Sequence, residues 1–374
     1  MNKPPYKIKV LFANTCLGGG GAQRVMIQVL RGLDRTRFVP ILVLLERKGI
    51  FLSEVPGDVK IVDLGRYGSG GRLRWLLNYV YAIRREMPDV IFSFLAFVNL
   101  ASIIARFLSR STCRLIVSER TTVKGTYEGF IDNVLRHLTI RLYCLADRVI
   151  PNSEEMRQQF IEKVKGVNPR HIVAIPNPVD VDRIRDNSKE ITATLGMGPL
   201  PIVVGMGRLS AEKGFDVLVR SMKYSLRKFH LIHIGEGPEE GSLRDLVNGL
   251  ELNNRVTFVG FQPNPFPLLR QAAVFVLPSR FEGFPNALVE AMALGVPCVS
   301  TRCSTGPSEI ITNRVNGMLI PVEDPVCMAK AIDELLSDKS LRERIGKAGM
   351  ERVQDFDIAE IIPRFERLIE DVVA

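Results

Sequence analysis

Short apolar runs alternate with amphipathic stretches along most of the chain, and Gly, Pro, Asn or Ser separates one from the next. The apolar runs have the length of buried strands, and the stretches between them have the 3.6-residue repeat of helices. In the first half the pattern predicts strands at 8–12, 39–45, 60–64, 90–94, 114–118, 148–150 and 171–174, and helices at 22–30, 72–86, 99–108, 129–145 and 153–163. In the second half it predicts strands at 202–205, 231–234, 256–259, 274–277, 297–301 and 318–321, and helices at 215–226, 287–294, 325–337, 340–353 and 358–372. This alternation predicts an α/β fold with mostly parallel, doubly wound sheets, in which ligands bind at the carboxyl ends of the strands.

The alternation is interrupted once, near the middle of the chain. Residues 175–180 are punctuated by proline, and a polar segment follows before the next strand begins. A length of 374 residues is large for one domain and comfortable for two. The sequence therefore predicts a first domain at 1–176, a linker at 177–200, a second domain at 201–357 and a final amphipathic helix at 358–374.

Composition excludes several protein classes. The hydrophobic fraction of 46% and the charged fraction of 24% are typical of soluble globular proteins. The six cysteines form no CxxC pair and have no neighbouring histidine, which argues against a zinc site or a disulfide framework and favours a reduced, cytoplasmic compartment. The apolar, uncharged stretch at residues 90–105 is shorter than the ~20 residues that span a bilayer.

The positive charge is concentrated in the first half of the chain. Residues 1–185 contain 29 Lys and Arg against 16 Asp and Glu, a net charge of +13, whereas the remainder carries −4. This asymmetry indicates an anionic partner for the first half, either nucleic acid or anionic lipid, and charge alone does not choose between them.

Two strand ends in the first half carry candidate chemistry. Four glycines at 18–21 separate a strand from a helix, so the backbone there can approach a ligand closely, although the run is neither a P-loop nor GxGxxG. The alternative is a plain flexible turn. Glu119 and Arg120 follow the strand at 114–118. They are interpreted either as a buried ion pair or as residues at the junction of two substrates.

In the second half, the loop after the strand at 202–205 contains Arg208 and Lys213 between glycines. A guanidinium and a mobile ammonium beside a helix start are the parts of an anion-binding loop, the alternative being ordinary basic surface residues. Gly235 and Phe261 follow the next two strands.

The segment around residues 280–310 is the richest in candidate site residues. A strand at 274–277 leads into a Gly- and Pro-containing turn and then a helix, whose free N-terminal amides suit an anion. The carboxylates of Glu282 in the turn and Glu290 in the helix suit uncharged groups such as sugar hydroxyls. An anion site flanked by two such carboxylates indicates a nucleotide sugar, with its diphosphate at the turn. The alternative is an ordinary strand–turn–helix crossover with surface glutamates.

Glu282 and Glu290 resemble the E-x7-E motif of the retaining glycosyltransferases of family 4. The flanking Gly-Phe-Pro-Asn and Glu-Ala-Met-Ala-x-Gly-x-Pro match as well, and Gly306-Pro307-x-Glu309 is similar to the branch that builds bacterial lipopolysaccharide, capsule and lipid-linked glycans. The resemblance implies the GT-B architecture: two Rossmann-like domains facing a central cleft, with a C-terminal helix that crosses back to the first domain. It also implies that neither a metal nor another cofactor is needed.

The resemblance also implies roles for individual residues. Arg208 and Lys213 would hold the donor diphosphate, Glu282 the donor sugar and Glu290 the ribose. The implied catalytic residues are Arg208, Lys213, Glu282 and Glu119, and the implied donor-binding residues are Gly19, Gly20, Arg208, Lys213, Gly235, Phe261, Glu282, Gly283, Phe284, Pro285, Asn286, Ala287, Leu288 and Glu290. The sequence departs from the family in one respect, because no histidine follows the strand at 114–118.

The expected function is retaining transfer of a hexose or N-acetylhexosamine from a UDP-sugar to a lipid-linked, lipopolysaccharide or polysaccharide acceptor. The expected location is the cytoplasm, peripherally at the inner face of the plasma membrane. The arginines at 66–85, which surround Trp75, Tyr79 and Tyr81, suit an anionic membrane surface, unless that helix simply packs on its sheet.

Two other functions compete with this one. A sugar-nucleotide epimerase or hydrolase of the same architecture needs acid–base residues at the sugar, and no histidine accompanies a motif. A nucleic-acid-binding protein would interleave basic with aromatic residues, whereas the basic residues here are dispersed, so no nucleic acid is expected.

Overall fold

The computed structural model describes residues 6–65, 71–120, 139–164, 167–190 and 199–374, with backbone alone for 71–73 and 163. The chain divides into two units. Unit 1 comprises residues 1–178 and 358–374, and unit 2 comprises residues 179–357.

Unit 1 is built on a parallel sheet of six strands in the order β3-β2-β1-β4-β5-β6. The strands are β1 (Ile8–Asn14), β2 (Phe38–Leu44), β3 (Lys60–Asp63), β4 (Val90–Phe94), β5 (Arg114–Glu119) and β6 (Arg148–Pro151). The helices between them are α1 (Gly21–Gly32), α2 (Gly71–Glu86), α3 (Ala96–Ser109) and α4 (Glu154–Lys163). This strand order is that of a dinucleotide-binding Rossmann fold, and the connections reverse direction between β1 and β4.

Both faces of the first sheet are buried, which explains the continuous apolar runs of its strands. On one face Val10 and Phe12 share a core with α1, whereas Leu11 and Ala13 on the other face share a core with α2 and α3. Successive strand residues therefore alternate between two cores.

The last helix of the chain, α13 (Ile358–Val373), packs on unit 1. Its apolar stripe, including Phe365, joins the core beside α1. Its polar side is also fixed, because Glu366 accepts hydrogen bonds from the Asp34 amide at 2.7 Å and from Arg37 Nη1 at 3.1 Å. The expected return of the C-terminal helix to the first domain is confirmed.

Unit 2 contains a second parallel sheet of six strands, in the order β12-β11-β10-β7-β8-β9. The strands are β7 (Ile202–Met206), β8 (His230–Ile234), β9 (Val256–Phe258), β10 (Val274–Leu277), β11 (Cys298–Thr301) and β12 (Met318–Ile320). The helices are α5 (Val181–Asn187), α6 (Phe215–Ser221), α7 (Glu240–Gly249), α8 (Phe266–Arg270), α9 (Asn286–Ala293), α10 (Pro307–Ile310), α11 (Pro325–Ser337) and α12 (Lys339–Val353). The strand order repeats that of unit 1, and the connections reverse direction between β7 and β10.

Several sequence predictions differ from the structure. Residues 171–174 do not form a strand: the preceding chain is a 3₁₀ turn (Pro169–His171), and only one bridge joins Ile172 to Val149. The helix predicted at 215–226 ends at Ser221. Beyond it, the Asp333 carboxylate accepts hydrogen bonds from the backbone amides of Leu226 and Arg227, in place of the carbonyl groups of a continuing helix. The predicted linker contains α5, which Asp180 caps by accepting the Arg183 amide at 3.0 Å.

The helix predicted at 129–145 lies largely outside the described residues, and its last part is a 3₁₀ turn (Tyr143–Leu145). None of the helices in the described part of the chain combines the length and the apolar character needed to cross a bilayer.

Candidate active site

The loops that follow β7 and β10 meet at the carboxyl edge of the second sheet. The two strands are parallel neighbours, and the chain leaves them towards opposite sides of the sheet. In open α/β sheets this reversal leaves a crevice in which ligands bind. The loop after β7 carries Arg208 and Lys213, and the turn after β10 carries Glu282.

Lys213 and Glu282 form a direct ion pair across these two loops. Lys213 Nζ lies 2.7 Å from Glu282 Oε1, and Ser279 Oγ donates to the same oxygen at 2.6 Å. Burial lowers the pKa of Lys213, but the charge of Glu282 and its hydrogen bond outweigh burial, so the net pKa is raised. The ammonium is therefore held charged and in a defined place, with Glu282 only 8% exposed.

Cys303 lies close enough to this pair to feel both charges. Burial raises the pKa of its thiol to about 12, and the negative charge of Glu282 acts in the same direction. The thiol is therefore protonated at neutral pH and packs as a small apolar group.

Arg280 joins the two loops a second time. Its Nη1 and Nη2 donate to the two oxygens of Asp216 at 2.9 Å each, Nη1 also reaches the Ala211 carbonyl oxygen, and Nε pairs with Glu323. Its backbone amide donates to the Glu212 carbonyl oxygen at 2.8 Å. A planar guanidinium makes such a fork and an ammonium does not.

Glycine allows the loops to approach this closely. Gly214 has a φ of +65°, and a Cβ placed on it would lie 2.3 Å from the Pro278 carbonyl oxygen. Gly306, with a φ of +88°, lets the chain after β11 pass the turn, since a Cβ there would lie 2.8 Å from the Gly283 carbonyl oxygen. Thr305 Oγ1 donates to the Glu282 carbonyl oxygen at the same place.

The turn then leads into α9, which carries the second glutamate. Glu290 lies in the second turn of the helix and is 7% exposed. Gly283 and Pro285 are buried in the turn, while Asn286 and Ala287 are half-buried at the helix start. The side chains of Phe284 and Leu288 pack into the core of unit 2, so only their backbone atoms could take part in binding.

The loops after β8 and β9 complete the same edge. The Gly207 amide donates to the Ile234 carbonyl oxygen at 3.0 Å, and a Cβ on Gly235 would lie 2.1 Å from the Gly207 carbonyl oxygen. The Phe261 amide donates to Glu236 Oε1 at 3.0 Å, and its ring is exposed, as is the Arg208 side chain. The structure thus gathers all the site residues predicted in the second half along one edge of unit 2.

The site residues predicted in the first half lie in unit 1. Gly19 and Gly20 are exposed between β1 and α1, at the point where the connections of the first sheet reverse. Glu119 is 1% exposed, and its carboxylate accepts from Tyr143 Oη at 2.8 Å and from the Arg120 amide at 3.1 Å. This burial and bonding suit a positioning role better than contact with a substrate.

Three residues at the site were not predicted from the sequence: Ser279, Arg280 and Thr305. Ser279 and Arg280 directly precede the Glu282 turn, so their position next to the motif was the available signal. Thr305 comes one residue before Gly306. Within the described ranges, no group of three or more His, Cys, Asp or Glu side chains is arranged to hold a metal ion.

Relatives of known activity occur among curated proteins. Over 354 residues the chain is 27% identical to N-acetylgalactosamine-N,N'-diacetylbacillosaminyl-diphospho-undecaprenol 4-alpha-N-acetylgalactosaminyltransferase of Campylobacter jejuni, covering 92% of this chain and 94% of that protein. It is 24% identical to GalNAc-alpha-(1->4)-GalNAc-alpha-(1->3)-diNAcBac-PP-undecaprenol alpha-1,4-N-acetyl-D-galactosaminyltransferase of the same organism, covering 98% of this chain and 99% of that protein.

Solved structures show the same fold. HepE of Anabaena, in complex with UDP-glucose, superimposes with a TM-score of 0.83 at 21% identity, covering 97% of this chain and 100% of that chain. The two-domain α/β GT-B fold expected from the sequence is thereby confirmed.

Two family models match the chain and together account for most of it. The model for glycosyltransferase family 4 matches residues 19–183, and the model for glycosyl transferases group 1 matches residues 188–352. The first match lies almost entirely in unit 1, and the second, which includes the whole Glu282–Glu290 segment, lies in unit 2. The chain therefore belongs to the family 4 glycosyltransferases.

Proposed function

We propose that this protein transfers a hexose or N-acetylhexosamine, with retention, from a UDP-sugar to a lipid-linked glycan or polysaccharide acceptor. The observation that carries the proposal is the Lys213–Glu282 pair, held at the point where the connections of the second sheet reverse. It puts a fixed cation beside a helix N-terminus and a buried carboxylate.

This arrangement suits departure of UDP. As the bond to the sugar breaks, negative charge develops on the diphosphate, and preorganised positive groups stabilise it most effectively. Lys213, Arg208 and the first amides of α9 supply such groups without a metal ion. Glu290 would accept hydrogen bonds from the ribose hydroxyls, a bidentate role that suits a carboxylate.

Glu282 serves two purposes in this proposal. Its Oε1 pairs with the Lys213 ammonium and accepts a hydrogen bond from the Ser279 hydroxyl. Its other oxygen, Oε2, would accept a hydroxyl of the donor sugar. In this proposal the acceptor attacks the same face of the sugar from which the leaving group departs, without a covalent intermediate.

Relatives support the choice of donor and acceptor. HepE has been solved with UDP-glucose, and both Campylobacter relatives are named for acceptors joined to undecaprenol through a diphosphate. An acceptor carried on lipid requires the enzyme to approach a bilayer. We therefore propose a peripheral location at the inner face of the plasma membrane.

The donor assignment is tested by calorimetric titration of UDP into the wild type and Glu290→Gln. The substitution removes charge-assisted hydrogen bonds of roughly 1.5–3 kcal/mol each, so UDP affinity is expected to fall at least about tenfold. Glu343→Gln, an exposed helix glutamate paired with Lys339, is the matched control. Equal UDP affinity in all three proteins would contradict the assignment of the donor site to this edge of the second sheet.

The reaction is tested by slow hydrolysis of UDP-, GDP- and ADP-sugars without acceptor, with and without a chelator. Release of UDP alone, unaffected by the chelator, is the expected result. Proton couplings at the anomeric carbon of the transferred sugar report retention, and an inverted product would contradict that part of the proposal.

A further inference from the structure

Arg120 carries two buried side-chain donors that have no acceptor among the described residues. The residue directly follows β5, and its guanidinium lies over the ring of Phe94 at the end of β4, with Cζ 5.1 Å from the ring centroid. Nη1 donates to Asn177 Oδ1 at 2.6 Å. Nε and Nη2 are buried and have no hydrogen-bond partner among the described residues.

These two atoms form one edge of the guanidinium. Nε and Nη2 carry parallel N–H bonds, the arrangement that binds two oxygens of a phosphate or carboxylate at once. The Asn177 contact and the Phe94 face fix the opposite side of the group, so the free edge is held in one direction. A buried donor without a partner costs free energy, and here two such donors share one edge.

Glu119 does not satisfy this edge, although it is the next residue. Its carboxylate is occupied by the Tyr143 hydroxyl and the Arg120 backbone amide. The Tyr143 hydroxyl in turn accepts from Asn99 Nδ2 at 2.9 Å, which anchors the carboxylate in a buried polar network. Burial lowers the pKa of Arg120 to about 9, with the charge of Glu119 acting against this, so the guanidinium remains charged at neutral pH.

A third unpaired atom lies at the neighbouring strand end. Glu119 of β5 is in register with Pro151 of β6, and Asn152 directly follows that strand. Asn152 is 2% exposed, and its Oδ1 has no hydrogen-bond partner among the described residues. Unpaired donors and an unpaired acceptor on adjacent strands indicate a ligand with an oxyanion and a nearby hydroxyl or amide N–H.

We infer that the Nε–Nη2 edge of Arg120 binds a phosphate of the acceptor, and that Asn152 accepts from a neighbouring sugar group. The inference rests on the proposed function, in which the acceptor is a glycan linked to lipid through phosphate. It assigns to unit 1 a phosphate contact separate from the donor contacts in unit 2. Because both Arg120 atoms are covered, phosphate binding requires the groups around them to give way.

The test compares wild type, Arg120→Gln and Arg120→Lys. Arg114→Gln is the matched control, because Arg114 is an exposed arginine at the opposite end of the same strand. Inorganic pyrophosphate is titrated by calorimetry into each protein saturated with UDP, which keeps the probe out of the donor site. Affinity for pyrophosphate is expected to fall at least about tenfold in Arg120→Gln, partly in Arg120→Lys, and not in Arg114→Gln.

Thermal unfolding distinguishes this role from a purely structural one. The two unsatisfied donors of Arg120 offset its Asn177 hydrogen bond and its Phe94 contact, so the Tm of Arg120→Gln should stay close to that of wild type. A Tm several degrees lower, or wild-type affinity for pyrophosphate in Arg120→Gln, would overturn the inference. Absence of pyrophosphate binding to wild type at millimolar concentrations would overturn it as well.

Failure of the proposed function has a different signature. If the donor assignment is wrong, UDP does not bind, and pyrophosphate binding is then compared among the variants without UDP. If the donor assignment is right and the Arg120 inference is wrong, UDP binds normally and the Arg120 substitutions leave both pyrophosphate affinity and the acceptor KM unchanged.

Discussion

The ammonium of Lys213 is positioned by Glu282 before any donor is present, which predicts different effects on binding and on turnover. Removing one preorganised charge-stabilising group typically lowers turnover by about 10²–10³-fold, because such groups act most strongly on charge that develops in the transition state. Lys213→Ala is therefore expected to lose turnover to this extent while UDP affinity changes less. Steady-state kinetics and calorimetry measure the two quantities separately.

Lys213→Ala also leaves Glu282 buried without its cation, so its stability must be checked. Lys213→Arg keeps the charge and serves as a partial rescue, and Lys330→Ala removes an exposed lysine elsewhere in unit 2. Turnover close to wild type in folded Lys213→Ala would show that the ammonium does not act on the leaving diphosphate.

The burial of His233 predicts that the folded protein becomes less stable as the pH falls. His233 is 2% exposed, and its ring lies edge-on to the Phe215 ring with the two ring centroids 4.2 Å apart. Neither of its ring nitrogens has a hydrogen-bond partner among the described residues. Burial lowers its pKa from 6.5 to about 3. Between these values the unfolded chain binds a proton that the folded protein does not, so stability is lost as pH falls through 6.5 towards 3.

The expected loss is about 1.4 kcal/mol per pH unit below pH 6, or about 2 kcal/mol between pH 7 and pH 5. Urea unfolding at both pH values measures it. The difference should shrink by this amount in His233→Leu and persist in His171→Leu, which replaces a half-buried histidine of unit 1. An identical pH dependence in His233→Leu and wild type would contradict the assignment.

At the scale of residues, the sequence predicted the parts of the site that belong to a motif and missed the parts that depend on tertiary contact. Glu282 and Lys213 were both named, but their direct contact joins loops 69 positions apart, which spacing does not reveal. Thr305 and Arg280 were missed for the same reason. Phe284 and Leu288 were named as donor-binding, yet tertiary packing turns their side chains into the core.

At the scale of elements, the site depends on how closely the loops after β7 and β10 approach. Gly214→Ala would place a Cβ 2.3 Å from the Pro278 carbonyl oxygen, in a backbone conformation that L side chains rarely adopt. The loops must then separate, so UDP affinity and turnover are expected to fall, each by about tenfold or more, and Tm is expected to drop. Calorimetry and thermal unfolding test both effects.

Gly241→Ala is the control, since nothing lies within 4 Å of a Cβ at that helical position. Alanine at an exposed helix position is expected to stabilise the fold by roughly 0.5–1 kcal/mol without changing UDP affinity. If Gly214→Ala binds UDP as the wild type does, the close approach of the loops is not needed for the donor site.

Most elements could be predicted because their apolar pattern and their burial agree. The strand at 90–94 and the helix at 325–337 were predicted with the observed bounds, since each is flanked by clear breakers and faces a core. Helix α5 was missed because its short polar sequence shows little periodicity, and its stability comes from a cap and from contacts within unit 2. The linker prediction at 177–200 contains α5 for that reason.

At the scale of the molecule, charge and apolar exposure coincide on unit 1. Unit 1 carries 29 basic and 18 acidic residues, a net charge of +11, whereas unit 2 carries −2. The outward face of helices α2 and α3, called here the α2–α3 face, exposes large apolar side chains together with arginines. It comprises Arg74, Leu77, Tyr81, Arg84, Arg85, Ile104, Phe107, Leu108 and Arg110.

The structure sorts the residues that the sequence proposed for this surface. Trp75, Tyr79 and Val80 are buried between α2 and its neighbours, so they contribute to the core and not to a surface. Tyr81, at 62% exposure, remains outside, and Phe107 of α3, at 81%, joins it. Arg66 and the side chain of Arg72 lie outside the described residues. An exposed apolar face with a basic surround is typical of proteins that bind an anionic bilayer.

The α2–α3 face therefore predicts reversible binding to anionic membranes. Each basic residue near such a surface contributes about 1 kcal/mol, and the exposed apolar side chains add a component that salt does not screen. The protein is expected to sediment with anionic liposomes at low salt, to be released largely at high salt, and to ignore neutral liposomes. The double variant Arg74→Glu, Arg85→Glu should bind anionic liposomes at least about tenfold more weakly. Lys330→Glu with Lys347→Glu, which makes the same charge change on unit 2, should bind like wild type; equal losses in both double variants would show that net charge, and not this face, directs the protein to the membrane.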